Sequence, residues 1–300
     1  MRKILILLTL AGAGLAGSAL AENVQMTGKF PAAVREANLL EAIAVDRFDG
    51  RDGRQVETAL EQAIGVPGGP PDGALSGGVT TGVEENRYQG SEERCVEWQD
   101  GDPKKSCTKR AQFPVRCTRR VVSVTVSLRL LRTADTLSIW ADNRPGRDET
   151  SWCEGQYPPR TVEDSVSNLI RDIATKVRYD VRPYTQTYKV AFRESRDGMP
   201  KDLGKQFKLV VKQSQRDPVG ACQGWTALNV QLPNNPSILY DLAVCAEFAG
   251  DYRAAMDGYR AAQTALGKRN GEMVESIDRV QRLLSARADD DERERRRGRR

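Results

Sequence analysis

Apolar and polar residues alternate most clearly at Val122, Val124, Val126, Leu128 and Leu130, which are separated by Ser123, Thr125, Ser127 and Arg129. Period-two alternation is the mark of a strand with one buried face. After a short turn, Leu137, Ile139 and Ala141 alternate with Ser138 and Trp140, so the two runs predict an antiparallel hairpin turning around Thr133 to Asp135. Upstream, Leu39 to Val45 is a short apolar run of strand length, preceded by a polar lead-in. Gln55 to Ile64 then places Val56, Leu60 and Ile64 on one helical face, with Asp52 in the N-cap position and Gly65 and Pro67 as stop signals. Gly65 to Gly77 is a Gly/Pro-rich loop, Gly78 to Tyr88 a strand through Val79, Thr81 and Val83, and Gln89 to Gln112 a polar interruption. Val162, Val166, Leu169, Ile170, Ile173 and Val177 mark a long helix with Thr161 as cap and Pro183 as terminator, and Tyr184 to Phe192 is a closing strand.

Past Asp197-Gly198-Met199-Pro200 the period becomes helical throughout. Leu203 to Val211, Val219 to Gln231, Pro236 to Phe248, Tyr252 to Leu266 and Met273 to Leu284 are predicted helices, separated by Asp-Pro, Pro-Asn-Asn-Pro, Gly-Asp and Lys-Arg-Asn-Gly breaks. Ala286 to Arg300 is charged with almost nothing to bury, and is expected to be disordered. The predicted organisation is a leader over 1–21, a layered α/β or α+β domain over 22–195 with a mostly antiparallel sheet and two helices, an all-α domain over 200–285, and a charged tail over 286–300.

The leader sets the compartment. Arg2 and Lys3 precede an apolar core from Ile4 to Leu10, and Ala19-Leu20-Ala21 forms a small-residue cleavage site. The apolar stretch is shorter than the roughly 20 residues of a membrane span. Glu22 rather than Cys follows Ala21, so the expectation is a periplasmic protein that is not a lipoprotein. In an exported chain, six cysteines predict a disulfide framework rather than reactive thiols or a zinc site. A hairpin turn near Thr133 and Ala134 sets Cys117 opposite Arg147 to Thr150, close to Cys153, which favours Cys117–Cys153 with Cys95–Cys107 closing the preceding loop. Four cysteines still allow three connectivities. Cys222 and Cys245 fall on adjacent predicted helices and form the third expected pair.

Charge and composition narrow the chemistry. The chain has 300 residues, 46 basic, 41 acidic and no histidine, for a formal charge of +5. Arg293 to Arg300 supplies six arginines against Glu294 alone, so the rest is near neutral and lacks a nucleic-acid-binding face. Without imidazole, the usual base for Ser and Cys nucleophiles is missing. A hydrolase would have to work with carboxylates, and the candidates are Glu84 and Glu85 near Tyr88, or Asp142 beside Trp140. Asp46, Asp49 and Asp52 recur every third residue, which is not the spacing of a calcium loop, and are read as turn and capping residues. No catalytic residue, metal or cofactor is assigned.

Leu239, Leu242, Ala243 and Ala246, followed by Gly250, Tyr252, Ala255, Tyr259 and Ala262, fall at the small and large positions of one helical hairpin. This stretch, Pro236 to Asn270, resembles a tetratricopeptide repeat, in which small residues let two helices approach and tyrosines fill the gap between neighbours. It departs from the pattern in having Leu239 for the usual Trp and Gly267 for the closing Pro. Leu40-Glu41-Ala42-Ile43-Ala44-Val45-Asp46, then Arg47-Phe48-Asp49-Gly50 and an Ala/Leu-rich helix, is similar to the opening of the curli-secretion-channel family and of periplasmic activators of penicillin-binding proteins. Asp180-Val181-Arg182-Pro183-Tyr184 and the closing strand fit the same layout. Members of that family are commonly lipoproteins, and this chain has no lipobox cysteine or clear amphipathic membrane-spanning hairpin, so pore formation does not carry over. The resemblance implies an envelope protein that acts by contact: a non-enzymatic scaffold or adaptor for other envelope proteins. The alternatives are a carboxylate-dependent hydrolase or a structural subunit of an outer-membrane complex. Any membrane association would run through a partner or the basic tail.

Overall fold

The computed structural model describes residues 23–104 and 106–298; the leader lies outside them. The chain forms a mixed-sheet unit and a helical unit. The first comprises Lys29–Gln186 with Ser285–Arg300, and the second Thr187–Leu284 with the residues up to Gly28.

In chain order the elements are β1 (Asn23–Phe30), α1 (Arg35–Asn38), β2 (Ile43–Asp49), α2 (Gly53–Ile64), β3 (Gly73–Trp98), a 3-10 turn (Gln99–Gly101), β4 (Cys107–Arg132), β5 (Ser138–Cys153), α3 (Val162–Val181) and β6 (Tyr184–Ala191). They continue with α4 (Lys201–Ser214), α5 (Pro218–Gln231), α6 (Pro236–Phe248), α7 (Tyr252–Leu266) and α8 (Gly271–Arg297). Strands β2-β3-β4-β5 form one sheet in that order, with β2 parallel to β3 and the remaining pairs antiparallel. The parallel pair requires a crossover, and α2 supplies it.

The alternating run of β4 lies near the middle of this sheet. Val122, Val124, Val126, Leu128 and Leu130 are all buried, against Val56, Leu60 and Ile64 of α2 and Ile170, Ile173 and Val177 of α3 in one apolar cluster. Full burial of such side chains stabilises by about 1.5–3 kcal/mol each, which is why this strand was the most legible. α3 begins with a capping box in which Thr161 and Asp164 satisfy each other's backbone N–H groups. The link from β2 to α2 turns at Gly50, whose φ is +108° and where a Cβ would lie 2.2 Å from the Val79 carbonyl oxygen. Only glycine fits there.

The helical unit starts its helices where the sequence breaks fell. Asp217, Asn235 and Asp251 accept hydrogen bonds from the first-turn N–H groups of α5, α6 and α7, and Gly267 ends α7 in the left-handed conformation at φ +68°. α6 and α7 pack so closely that a Cβ on Gly258 would lie 2.8 Å from the Cβ of Ala243. The core of this unit gathers Phe207, Trp225, Ile238, Tyr240, Tyr259 and Met273.

Four expectations are corrected. The stretch Gln89 to Gln112 does not interrupt the sheet but continues β3 and β4 on either side of the short turn. The polar lead-in contains β1, whose Val24, Met26, Gly28 and Phe30 are inward in strict alternation. The strand expected from Leu39 begins at Ile43, because α1 ends only at Asn38 with Leu39 as its C-cap, and Leu40 packs into the core in the link that follows. The tail over 286–300, expected to be disordered, is helical as far as Arg297 and belongs to the mixed-sheet unit, so the chain does not divide simply near Pro200.

Ion pairs explain that helix better than burial. Asp289, almost wholly buried, accepts from Asn38 Nδ2 at 2.6 Å and from Arg35 at 3.3 Å, Asp290 pairs with Lys29 at 2.7 Å, and Arg297 pairs with Glu41 at 3.0 Å. Within the helix, Glu292 receives Arg295 and Arg296 at 2.8 and 2.9 Å. A charged segment with few apolar residues can fold when its charges meet partners on another element.

Candidate functional site

The extended β3–β4 pair is the feature of the mixed-sheet unit that its core does not explain. β5 braces β4 only from Cys117 to Leu131, and β2 runs beside β3 only as far as Gly78. Beyond Tyr88 and Cys117, Gln89 to Trp98 pairs with Cys107 to Arg116 as a two-stranded arm. At about 3.4 Å per residue it continues for roughly 30 Å. Nearly every described residue of the arm is exposed or half-buried, and Tyr88, Val96 and Phe113 present large apolar side chains to solvent.

An isolated two-stranded ribbon is marginal in water, and the arm is stapled at two levels. Cys95 and Cys107 are bridged near its tip, and Cys117 and Cys153 are bridged at its root, where they stand directly opposite in the β4–β5 register. The hairpin turn lies slightly further along the chain than Thr133 and Ala134, with Arg132 N–H donating to the Leu137 carbonyl, and this brings Cys153 itself across from Cys117. Arg132 also clamps Asp135 in that turn, and its hydrogen bond holds the Asp135 carboxyl down at about 2. Cross-strand pairs Arg110–Glu93 at 3.1 Å and Arg120–Glu85 at 2.6 Å support the ladder, while Arg94 and Arg119 stand over the rings of Phe113 and Tyr88. Cys222 and Cys245 join α5 to α6, so no cysteine is free. A fully bridged set of cysteines marks a protein that leaves the cytoplasm.

In the helical unit, Ala243, Ala255, Tyr259 and Ala262 are buried, and Leu239, Leu242 and Tyr252 pack against them at the edge of the core. Gly250, between α6 and α7, takes φ +77°. Sequence reasoning placed Ala243 at the helix crossing but missed its partner, Gly258; a glycine inside a helix was the available signal. It also missed a buried polar cluster. Glu247 accepts from Arg279 Nε and Nη2 at 2.7 and 2.9 Å, from the Tyr259 hydroxyl at 2.6 Å and from the Tyr188 hydroxyl at 3.0 Å. Burial and the Glu247 charge push both tyrosines well above their ordinary range.

A second buried acid is less well served. Asp241 accepts the Arg193 backbone N–H at 2.7 Å through one oxygen, while the other has no hydrogen-bond partner in the described structure. Burial drives its carboxyl well above the usual range, with Glu272 and Glu194 adding to the effect against Arg193. The folded protein therefore holds this proton more tightly than the unfolded chain, and stability falls as pH rises from about 4. Asp241→Asn should flatten that part of the curve by up to about 1.4 kcal/mol per pH unit, measured as urea midpoints between pH 4 and 8. Parallel curves for the two proteins would contradict this.

Two of the three carboxylates considered for catalysis are held in ion pairs. Glu85 pairs with Arg120, and Asp142 pairs with Arg144 at 2.7 Å. Glu84 lies next to Glu85 on β3, on the exposed part of the strand. Asp52 sits at the start of α2 but does not cap it; it accepts the Thr81 hydroxyl at 2.6 Å. Asp49 pairs with Arg47 at 3.4 Å. Among the described residues no cluster of acids and cysteines could hold a metal ion, and no helix is long and apolar enough to cross a membrane.

No family model and no curated protein sequence matches the chain. Among solved structures it is similar to one described as a putative lipoprotein from Caulobacter crescentus CB15, at 14% identity and a TM-score of 0.29, covering 49% of this chain and 92% of that one.

Proposed function

We propose that the protein is an exported, non-enzymatic scaffold or adaptor of the cell envelope that engages another envelope protein through the β3–β4 arm. The observation that carries this reading is the arm itself: paired strands that continue beyond their sheet, bridged at tip and root, with outer edges that no other strand covers among the described residues, and exposed Tyr88, Val96 and Phe113. Open edges invite strand addition by a partner, and charged side chains along both strands limit indiscriminate pairing. The bridges favour an oxidising compartment, and with Glu22 rather than Cys after Ala21 the reading is a periplasmic protein without a lipid anchor. The helical unit is read as a tetratricopeptide-like hairpin, extended by α5 and α8, that stiffens the scaffold.

Shortening the arm tests this. Removing residues 91–114 and joining Gly90 to Val115, which face each other in the register, through Asn-Gly gives a two-residue hairpin turn and removes Cys95 and Cys107 together. The variant is expected to melt as the full chain does, and to lose the envelope protein recovered with the full chain after mild crosslinking. Unchanged recovery would contradict the arm as the contact.

A further inference from the structure

A second feature, independent of the arm, lies within the mixed-sheet unit where the end of α3, the end of α2 and the last turns of α8 converge on a cleft of about 530 Å³. Arg178, Arg182, Arg293 and Arg297 all line it, and Glu41 is the only acidic residue among its lining groups. The arginines come in two pairs four residues apart, one closing α3 and one near the end of α8, where the carbonyl ends of helices favour cations.

Their charges are unevenly compensated. Arg297 is paired with Glu41 at 3.0 Å, and Arg293 donates to Asp290, which also receives Lys29. Arg182 donates to the Leu40 and Glu41 carbonyl oxygens, not to a carboxylate, at 3.5 and 3.1 Å. Asp72 offsets some of its charge from a distance while accepting the N–H groups of Glu41 and Ala42 at 3.1 and 2.9 Å. Arg178 lies against the Tyr179 ring and meets no carboxylate among the described residues. Burial, followed by repulsion from Arg293 and Arg178, lowers the Arg182 guanidinium's affinity for its proton. Grouping like charges around a concavity is unfavourable unless an anion enters.

We propose that this cleft binds the phosphate group of an organic phosphate ester. A carboxylate offers two oxygens and is satisfied by one guanidinium fork, whereas a phosphate monoester offers three and can take forks from several arginines. The space exceeds what inorganic phosphate needs and falls in the range of small-molecule sites. Leu40, Ile64 and Pro183 add apolar lining for the organic part. The shared chemistry covers a free phosphate ester and a phosphorylated lipid head group.

The test is calorimetric titration of the full chain, at low salt in a phosphate-free buffer, with phenyl phosphate, inorganic phosphate and phenylacetate. Phenyl phosphate is expected to bind more tightly than either other probe. Arg178→Gln should weaken it about tenfold or more without moving the melting temperature, while Arg129→Gln, on the exposed face of β4, should leave it unchanged. Should Arg178→Gln unfold, Arg297→Gln replaces it and is expected to weaken binding similarly, since it also frees Glu41 to repel the anion. Flotation with phosphatidylcholine vesicles, with and without phosphatidic acid, separates the two sources: phosphatidic-acid-dependent flotation competed by phenyl phosphate assigns a head group, and soluble binding alone assigns a free ester. No binding of phenyl phosphate, equal affinity for phenylacetate, or full affinity in the cleft variants would overturn the proposal, whatever the arm-shortening experiment gives.

Discussion

Replacing Arg279 by Met should lower the free energy of unfolding by about 3–5 kcal/mol, a large part of what holds a domain of this size together. Glu247 has no exposed side-chain surface and accepts two of its four hydrogen bonds from this guanidinium. Hydrogen bonds and charge from Glu247 strengthen Arg279's hold on its proton, against the opposing effect of burial. Removing the cation leaves a buried carboxylate with only Tyr188 and Tyr259 as donors. The double variant Glu247→Gln with Arg279→Met should recover part of the loss, since the amide oxygen still accepts from the tyrosines. Denaturant titrations of the three proteins check this; a loss below about 1 kcal/mol for Arg279→Met would contradict the buried cluster's role.

The two bridges of the β3–β4 pair should behave differently. Replacing Cys117 and Cys153 together by Ser opens a loop with a sequence separation of 36 residues at the root of the arm, and the chain-entropy relation gives about 4 kcal/mol for it. Replacing Cys95 and Cys107 opens a loop with a separation of 12. The same relation gives about 3 kcal/mol, but the arm adds nothing to the apolar cluster and can open locally while the sheet stays folded. The expected result is a clear drop in melting temperature for the root pair, little change for the tip pair, and faster amide exchange confined to 89–116 in the tip variant. Equal drops in melting temperature would mean that the arm unfolds with the core and is not a separate element.

This contrast also explains what the sequence disclosed. Val122 to Leu130 was legible because one face of that stretch is buried, and burial imposes the period on the residue types. The arm has no buried face, so Gln89 to Gln112 carries no period, and its strands are defined by backbone ladders that residue types do not encode; only the Cys95–Cys107 bridge was legible there. β1 was legible in principle, since Val24, Met26 and Phe30 keep the period and only Gly28 breaks the apolar series. The helix starts were legible because Asp217, Asn235 and Asp251 act locally. The last turns of α8 were not, because Lys29, Arg35 and Asn38, which donate to Asp290 and Asp289, lie more than 250 residues earlier. The arginine cleft follows the same rule: two pairs at helical spacing are visible in the chain, but only folding brings them to one concavity.

The scaffold reading stands on the arm as a contact surface, and site-specific photocrosslinking tests it most directly. A photoreactive residue at Phe113, on the exposed arm, should crosslink one discrete envelope protein in cells, and the same residue at Arg129, on the solvent face of β4 within the braced sheet, should not. Crosslinks to that protein from Arg129 but none from Phe113, or none from either position, would contradict the account.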